Sequence, residues 1–367
     1  MKTARILVVL TLCLAACGGS KKKPVAAPTT NVIVPAAASK MISGVEFAKS
    51  PSGRDRAVAL MREAITIDPK LWEAHYNLGI LLAQSGDLAE AEPSLERAAQ
   101  LAPGAEEIAT ALGQVRRRRG ENRKAADGLQ VFVEQHPDAK EARALYVVAL
   151  RDSGQIDAAI AQARDALRRK AGDATALAEL ALSELAKGER DSAELLVKEA
   201  LASNKESAIA HRTAGLIALA KGDDAAAFAS FVKASHLDPK DTTARLNIGT
   251  VLLRAGVYGK AEEQFRAVLK DAREDADASI GLAAALRGQG DKDHTAKWNE
   301  AQKILEGVLA RDPHNVGAEF NLAILLADFL KKPGDAKPLF QRFLADAPAD
   351  HPARAEADRQ AKAIGTK

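Results

Sequence analysis

Cysteine is almost missing from this 367-residue chain: Cys13 and Cys17 are the only two. Both fall within the first 17 residues, so no disulfide framework can hold the remainder together. Aromatic residues make up only 4%, which suits helices packed through alanine and leucine. The apolar run near the amino terminus, Ile6 to Leu12, is too short to cross a bilayer. Charge of one sign is not in excess either. The formal net charge is +3, and removing Lys2 and Arg5 with a signal would leave about +1, so there is no electrostatic case for nucleic acid. Seven histidines are scattered, and no two show the short spacing that puts two metal ligands on one helix face. His136, His236 and His314 fall near expected turns, and His75 and His211 at matching places inside helices. No glycine-rich phosphate loop follows a strand, because no convincing strand is present. Catalytic, cofactor and metal residues are therefore expected to be none, and the chain is not expected to be an enzyme.

What the chain does have is a fixed step of 34 residues. Glycine keeps it at Gly86, Gly120, Gly154, Gly188, Gly222, Gly256 and Gly290, and alanine at Ala57, Ala91, Ala125, Ala159, Ala193, Ala227 and Ala261. Self-similarity of this kind marks a stacked array of one small unit. The clearest copy runs from Trp72 to Ala105. Trp72 to Gln84 reads as an amphipathic helix. Gly86 and Asp87 break it, glycine suiting the left-handed backbone that ends a helix. A second helix is expected from Leu88 to Leu101, closed by Pro103. Gly79 and Ala91 are small where the two helices would cross, and Ala98 where the next copy would pack. Gly113, Gly215 and Gly249 repeat the place of Gly79; Val147, Ala181, Ala283 and Ala323 replace it elsewhere, which predicts looser junctions.

Small residues in both helices, a closing proline and this period resemble the tetratricopeptide repeat, over about nine tenths of the chain. The resemblance implies an all-α fold: a right-handed α-solenoid of about nine helix-turn-helix repeats with a carboxyl-terminal capping helix. Repeats are expected over residues 38–350, starting near Ala38, Trp72, Glu106, Lys140, Ala174, Ala208, Thr242, Ala276 and Val316. The first reads as degenerate, with a short first helix from Met41 to Ala48 and a normal second one from Arg54 to Ile67. The eighth is stretched by six residues near Asp291 to Ala296, and the ninth carries one extra residue near Lys332. Residues 351–367 read as the cap and tail, with Pro352 to Lys362 covering the last apolar face.

The amino terminus supplies an address. Lys2 and Arg5 before the apolar run have the layout of a secretory signal, expected over residues 1–16. Leu14-Ala15-Ala16-Cys17 resembles a bacterial lipobox, which implies lipidation at Cys17 and anchoring to the membrane. No retention aspartate follows, so the resemblance implies the outer membrane, periplasmic face. Residues 17–37, with Pro24, Pro28 and Pro35, read as a flexible tether.

In tetratricopeptide arrays the first helix of each repeat lines the concave face, and that resemblance picks out the candidate groove. Its floor would be Leu182, Leu185, Leu216, Leu219, Leu246 and Leu253, and its basic edge Arg117, Arg118, Arg151, Arg212, Arg254 and Arg287. Some of the leucines could instead pack between neighbouring helices, and the run Arg116 to Arg119 could be a solvated helix end, where cations are favoured. An apolar floor with a charged rim suits a peptide or an amphipathic helix from a protein partner. A clamp for a terminal carboxylate is incomplete: Arg212 and Asn247 could supply part, but Asp277 and Gly281 stand where basic partners would be needed. The expectation is a non-catalytic, membrane-tethered scaffold for an envelope machine serving gliding motility, a pilus or secretion. The alternative is a lipoprotein regulator of a peptidoglycan synthase or hydrolase.

Overall fold

The computed structural model describes residues 34–290 and 295–364. The expected signal, Cys17 and most of the tether lie outside them, as does the start of the stretch at 291–294. Among the described residues every regular element is helical. The chain divides into two compact units, the first ending at Arg119 and the second beginning at Gly120.

The first unit holds α1 (Pro35–Phe47), α2 (Arg54–Ile67), α3 (Trp72–Ser85), α4 (Leu88–Leu101) and α5 (Glu106–Arg118). Each packs on the next. α1 is a full helix of 13 residues, not the short one expected, and starts three residues inside the expected tether. Pro35 opens it, where a missing N–H costs nothing, and the alanines that follow are strong helix formers. Ala57, Met61, Ala74, Ala91 and Leu95 form its buried centre.

The second unit continues in the same way. It comprises α6 (Asn122–Gln135), α7 (Lys140–Asp152), α8 (Ile156–Arg169), α9 (Ala174–Lys187), α10 (Arg190–Ser203), α11 (Ala208–Ala220) and α12 (Asp224–Leu237). Then come α13 (Thr242–Arg254), α14 (Tyr258–Asp271), α15 (Ala276–Gln289), α16 (Thr295–Arg311), α17 (Val316–Ile324), α18 (Pro333–Asp346) and α19 (Arg354–Ile364). Consecutive helices pack on one another throughout, and α19 lies on α18 at the end. The caps are local: the side chains of Asp173, Ser207, Asp223, Asp241, Asp275 and Asn315 accept backbone N–H groups at their helix starts.

Two turns depart from the pattern. Six of the seven periodic glycines take the left-handed backbone, from Gly86 at φ 90° to Gly256 at φ 72°. Gly290 does not: its φ is −73° and ψ 148°. Its small size serves another purpose, since a Cβ there would stand 2.2 Å from Nε1 of Trp298. In the last repeat the extra residue is not in the turn near Lys332. It is absorbed within the first helix, where Leu325–Phe329 forms a π-helical turn and the Leu330 N–H donates to the Leu325 carbonyl at 2.9 Å. Lys331 then takes the place of the turn glycine, at φ 57°.

At two of the glycine replacements the facing helix changes as well. At Gly215 a Cβ would meet Phe231 at 2.4 Å, at Gly249 it would meet Phe265 at 2.8 Å, and at Gly79 Leu95 at 2.6 Å. The partner column runs Leu95, Leu129, Ala163, Val197, Phe231, Phe265 at the same step. Where the first helix carries Val147, the second carries Ala163, and both are buried. Ala181 faces the shorter Val197, in one buried cluster. A bulkier residue on the first helix is matched by a smaller one on the second, in the direction that close packing demands.

Candidate functional site

The first helices of successive repeats line up in the second unit: α7 touches α9, α9 touches α11, α13 touches α15, and α15 touches α17. Leu182, Leu185, Leu216, Leu219, Leu246 and Leu253 are all half-buried on these helices. Leu185, Leu216 and Leu219, Leu246 and Leu253 lean on the buried clusters beneath them. They are therefore partly core and partly surface. The same register adds Val148, Ile209, Ile280, Phe320 and Ile324, also half-buried. Sequence reasoning passed over these, although Val148 and Ile280 stand one 34-residue step from Leu182 and Leu246.

The basic residues divide by unit. Arg117 and Arg118 belong to the first, where Arg118 donates to the Ala83 carbonyl at 2.7 Å, at the end of α3. Arg117 also has an interaction partner. Their neighbours Arg116 and Arg119 clasp the buried Glu92, Arg116 at 2.9 Å. This run is thus tied into the fold. In the second unit Arg151 pairs with the buried Glu179 at 2.7 Å, Arg212 with Asp241 and Arg254 with Asp224 at 3.1 Å. Arg287 makes a different set: Nη1 donates to Asn321 Oδ1 at 3.2 Å, and the guanidinium lies 5.8 Å from the Phe329 ring centre. With Arg212 engaged by Asp241, and with Gly281 pressed against Phe265, the partial carboxylate clamp is not assembled.

The histidines inside helices have a structural place. Nε2 of His75 bonds the Pro69 carbonyl at 3.1 Å, and Nε2 of His211 the Lys205 carbonyl at 3.0 Å. Arg143 and Arg245 do the same to the Pro137 and Pro239 carbonyls, at 3.1 and 2.9 Å. Four first helices thereby hold the turn before them through the same register position. The imidazole must carry its proton on Nε2 to donate there, and burial pushes the His75 pKa down. Of the three placed near turns, His236 lies in the last turn of α12, His136 stacks near Phe132 with ring centres 4.5 Å apart, and His314 pairs with Asp346. Among the described residues no group of three or more His, Cys, Asp or Glu side chains converges as metal ligands would. Among them, too, no helix is long and apolar enough to cross a membrane.

One cavity accompanies the Val147 and Ala163 exchange. It has a volume of about 660 Å³ and lies among α7, α8 and α9, with Arg143, Thr175 and Glu179 also on its wall.

Comparison with known proteins matches this geometry. One tetratricopeptide repeat model fits residues 54–115, and a second fits residues 110–174, 178–242 and 246–294. Together they cover more than half of the chain. The chain belongs to the tetratricopeptide repeat family. Among solved structures, this TPR chain is similar to the APC/C hetero-tetramer Cut9-Hcn1, at 17% identity and TM-score 0.50, over 79% of this chain and 55% of that one. It is also similar to YrrB, described as a TPR protein with an unusual peptide-binding site, at 20% identity and TM-score 0.41, over 54% of this chain and 97% of that one. A third similarity is to PilF of Pseudomonas aeruginosa, at 18% identity and TM-score 0.49, over 62% and 96% of the two chains. No curated protein matches the chain. A TPR array is a scaffold for protein–protein interaction, and the first helices of this chain carry the half-buried leucines.

Proposed function

We propose that this TPR chain is a non-catalytic scaffold held to the periplasmic face of the outer membrane through lipid on Cys17. Its first-helix face binds a protein segment and so helps to assemble an envelope machine of the gliding-motility, pilus or secretion kind. One observation carries the binding reading: the row of half-buried leucines on α9, α11 and α13, flanked by arginines already neutralised by acids of the same fold. Such a face keeps apolar area available while its edges resist non-specific attraction of charge.

Changing two of Leu182, Leu216 and Leu253 to Asp tests this. Fully covering a leucine contributes about 1.5–3 kcal/mol, so losing two should weaken partner capture by well over tenfold. The control is an Asp pair at the exposed Lys233 and Lys260 of α12 and α14. Partners are recovered by crosslinking in membranes and pull-down. Retention of full capture by the leucine variant defeats the reading, as does early melting of that variant by circular dichroism. Recovery of a peptidoglycan synthase or hydrolase instead of machine components would favour a regulatory role.

A further inference from the structure

Arg287 stands apart from the other basic residues of the first-helix face. Arg151, Arg212 and Arg254 each have an acid at ion-pair distance. Arg287 is half-buried and among the described residues it has none. Its charge is held in place by neutral groups. Asn321 Oδ1 accepts from Nη1 at 3.2 Å, and Asn321 is itself fixed by donating from Nδ2 to the Gly317 carbonyl at 2.9 Å. The ring of Phe329 lies 5.8 Å from the guanidinium carbon. Burial pushes the Arg287 pKa down, and Asp328 and Tyr258 favour its charge without pairing with it.

A half-buried guanidinium with no acid at ion-pair distance among the described residues is costly to keep. It is also well prepared for one. Guanidinium has five N–H donors in a rigid fork, and the Asn321 bond uses only one of them. The remaining donors suit the planar, two-point geometry of a carboxylate. The first helices on either side carry apolar side chains: Leu253 on α13, Ile280 on α15, and Phe320 and Ile324 on α17 lean on one buried cluster. Asp277, whose carboxyl is pushed up by burial and by Asp275, lies on the same helix about 15 Å from Arg287 by helical rise. A partner's acid is therefore placed at the Arg287 end.

We propose that the α15–α17 surface receives an apolar segment of a protein partner that carries an acidic side chain, with Arg287 as the counter-ion of that carboxylate. This rests on reading the first-helix face as a docking surface. It adds the chemistry of the occupant: apolar residues around one Asp or Glu.

A displayed library of random 12-residue peptides, panned on the full chain and on Arg287→Gln, tests it. Peptides retained by the wild type should be apolar and enriched in one acid. That enrichment should vanish on Arg287→Gln while apolar preference persists. A synthetic retained peptide should lose roughly tenfold or more in affinity when its acid is changed to the amide, and the acid and amide forms should bind Arg287→Gln alike. The acid-to-amide comparison uses unaltered protein, so it stands even if the variant folds poorly. An acid preference that survives in Arg287→Gln, or apolar peptides with no acid preference, overturns the assignment of Arg287 and leaves the docking reading intact. Failure to retain any peptide overturns the docking reading, and this inference with it.

Discussion

Replacing Gly215 by valine should destabilise the α11–α12 pair, and truncating Phe231 should relieve that damage. A Cβ at Gly215 would lie 2.4 Å from Cε1, 2.6 Å from Cδ1 and 2.8 Å from Cζ of Phe231. Phe231 is fully buried, so the ring cannot simply swing into solvent. Overpacking of this kind costs about 1–3 kcal/mol, offset by at most about 1 kcal/mol from removing a helical glycine. Phe231→Ala alone should cost about 3–5 kcal/mol through its cavity. The double variant rebuilds the pairing found at Val147 and Ala163 two repeats earlier. It should therefore be less damaging than the sum of the two, by a coupling of about 1–3 kcal/mol. Hydrogen exchange at α11 and α12 is the right assay, because a repeat array unfolds as a sum of local terms. If the two changes add to within about 0.5 kcal/mol, volume exchange between the paired helices is not what links these columns.

Three further outcomes are expected. Lys331→Gly should stabilise the last repeat by about 1 kcal/mol, since only glycine adopts φ 57° without penalty, and a raised urea midpoint checks it. Burial alone would raise the Glu262 pKa, but hydrogen bonds from Lys297, Arg266 and Gln289 draw it down to about 2. That depressed pKa stabilises the folded state above the ordinary carboxylate range and loses its contribution as pH falls toward 2; the stability gap between wild type and Glu262→Gln, followed by denaturant unfolding from pH 6 to pH 2, should narrow over that window. Cys17→Ser should release the protein from the membrane fraction, and flotation with outer membrane at wild-type levels would show that the anchor lies elsewhere.

The repeat architecture was legible because glycine and alanine columns record backbone geometry directly: a positive φ or a close crossing tolerates few substitutes. The exceptions were invisible for the same reason. Gly290 sits in the glycine column, yet its small size makes room for Trp298, a residue beyond the repeat frame. Lys331 does the turn glycine's task without being glycine. The extra residue of the ninth repeat showed as a length, but a length does not say whether a turn or a helix absorbs it, and the π-helical turn answers that. At the surface, leucine spacing located the face but not its electrostatics. Five of the six arginines read as a rim are satisfied from within, by partners such as Glu179, Asp224 and Asp241 that are remote in sequence. Only three-dimensional pairing separates Arg287 from them.

Two kinds of helix contact differ in what they demand of sequence. His75, Arg143, His211 and Arg245 reach back to a main-chain carbonyl of the preceding turn, supplied equally well by Pro69, Pro137, Lys205 or Pro239. Any residue offers that carbonyl. Gly215 and Phe231, or Val147 and Ala163, fit only as sets, with Phe265 the exception that also presses on Gly281 of the following repeat. An exchange of gene segments that breaks between repeats would thus keep the Gly215–Phe231 and Val147–Ala163 sets whole and still find a carbonyl acceptor, but would separate pairs such as Arg151 and Glu179. One that breaks between the two helices of a repeat would join a valine to a phenylalanine, or a glycine to an alanine. In core packing, a whole helix pair is thus the unit that can be exchanged at least cost, and a break inside the pair the most damaging.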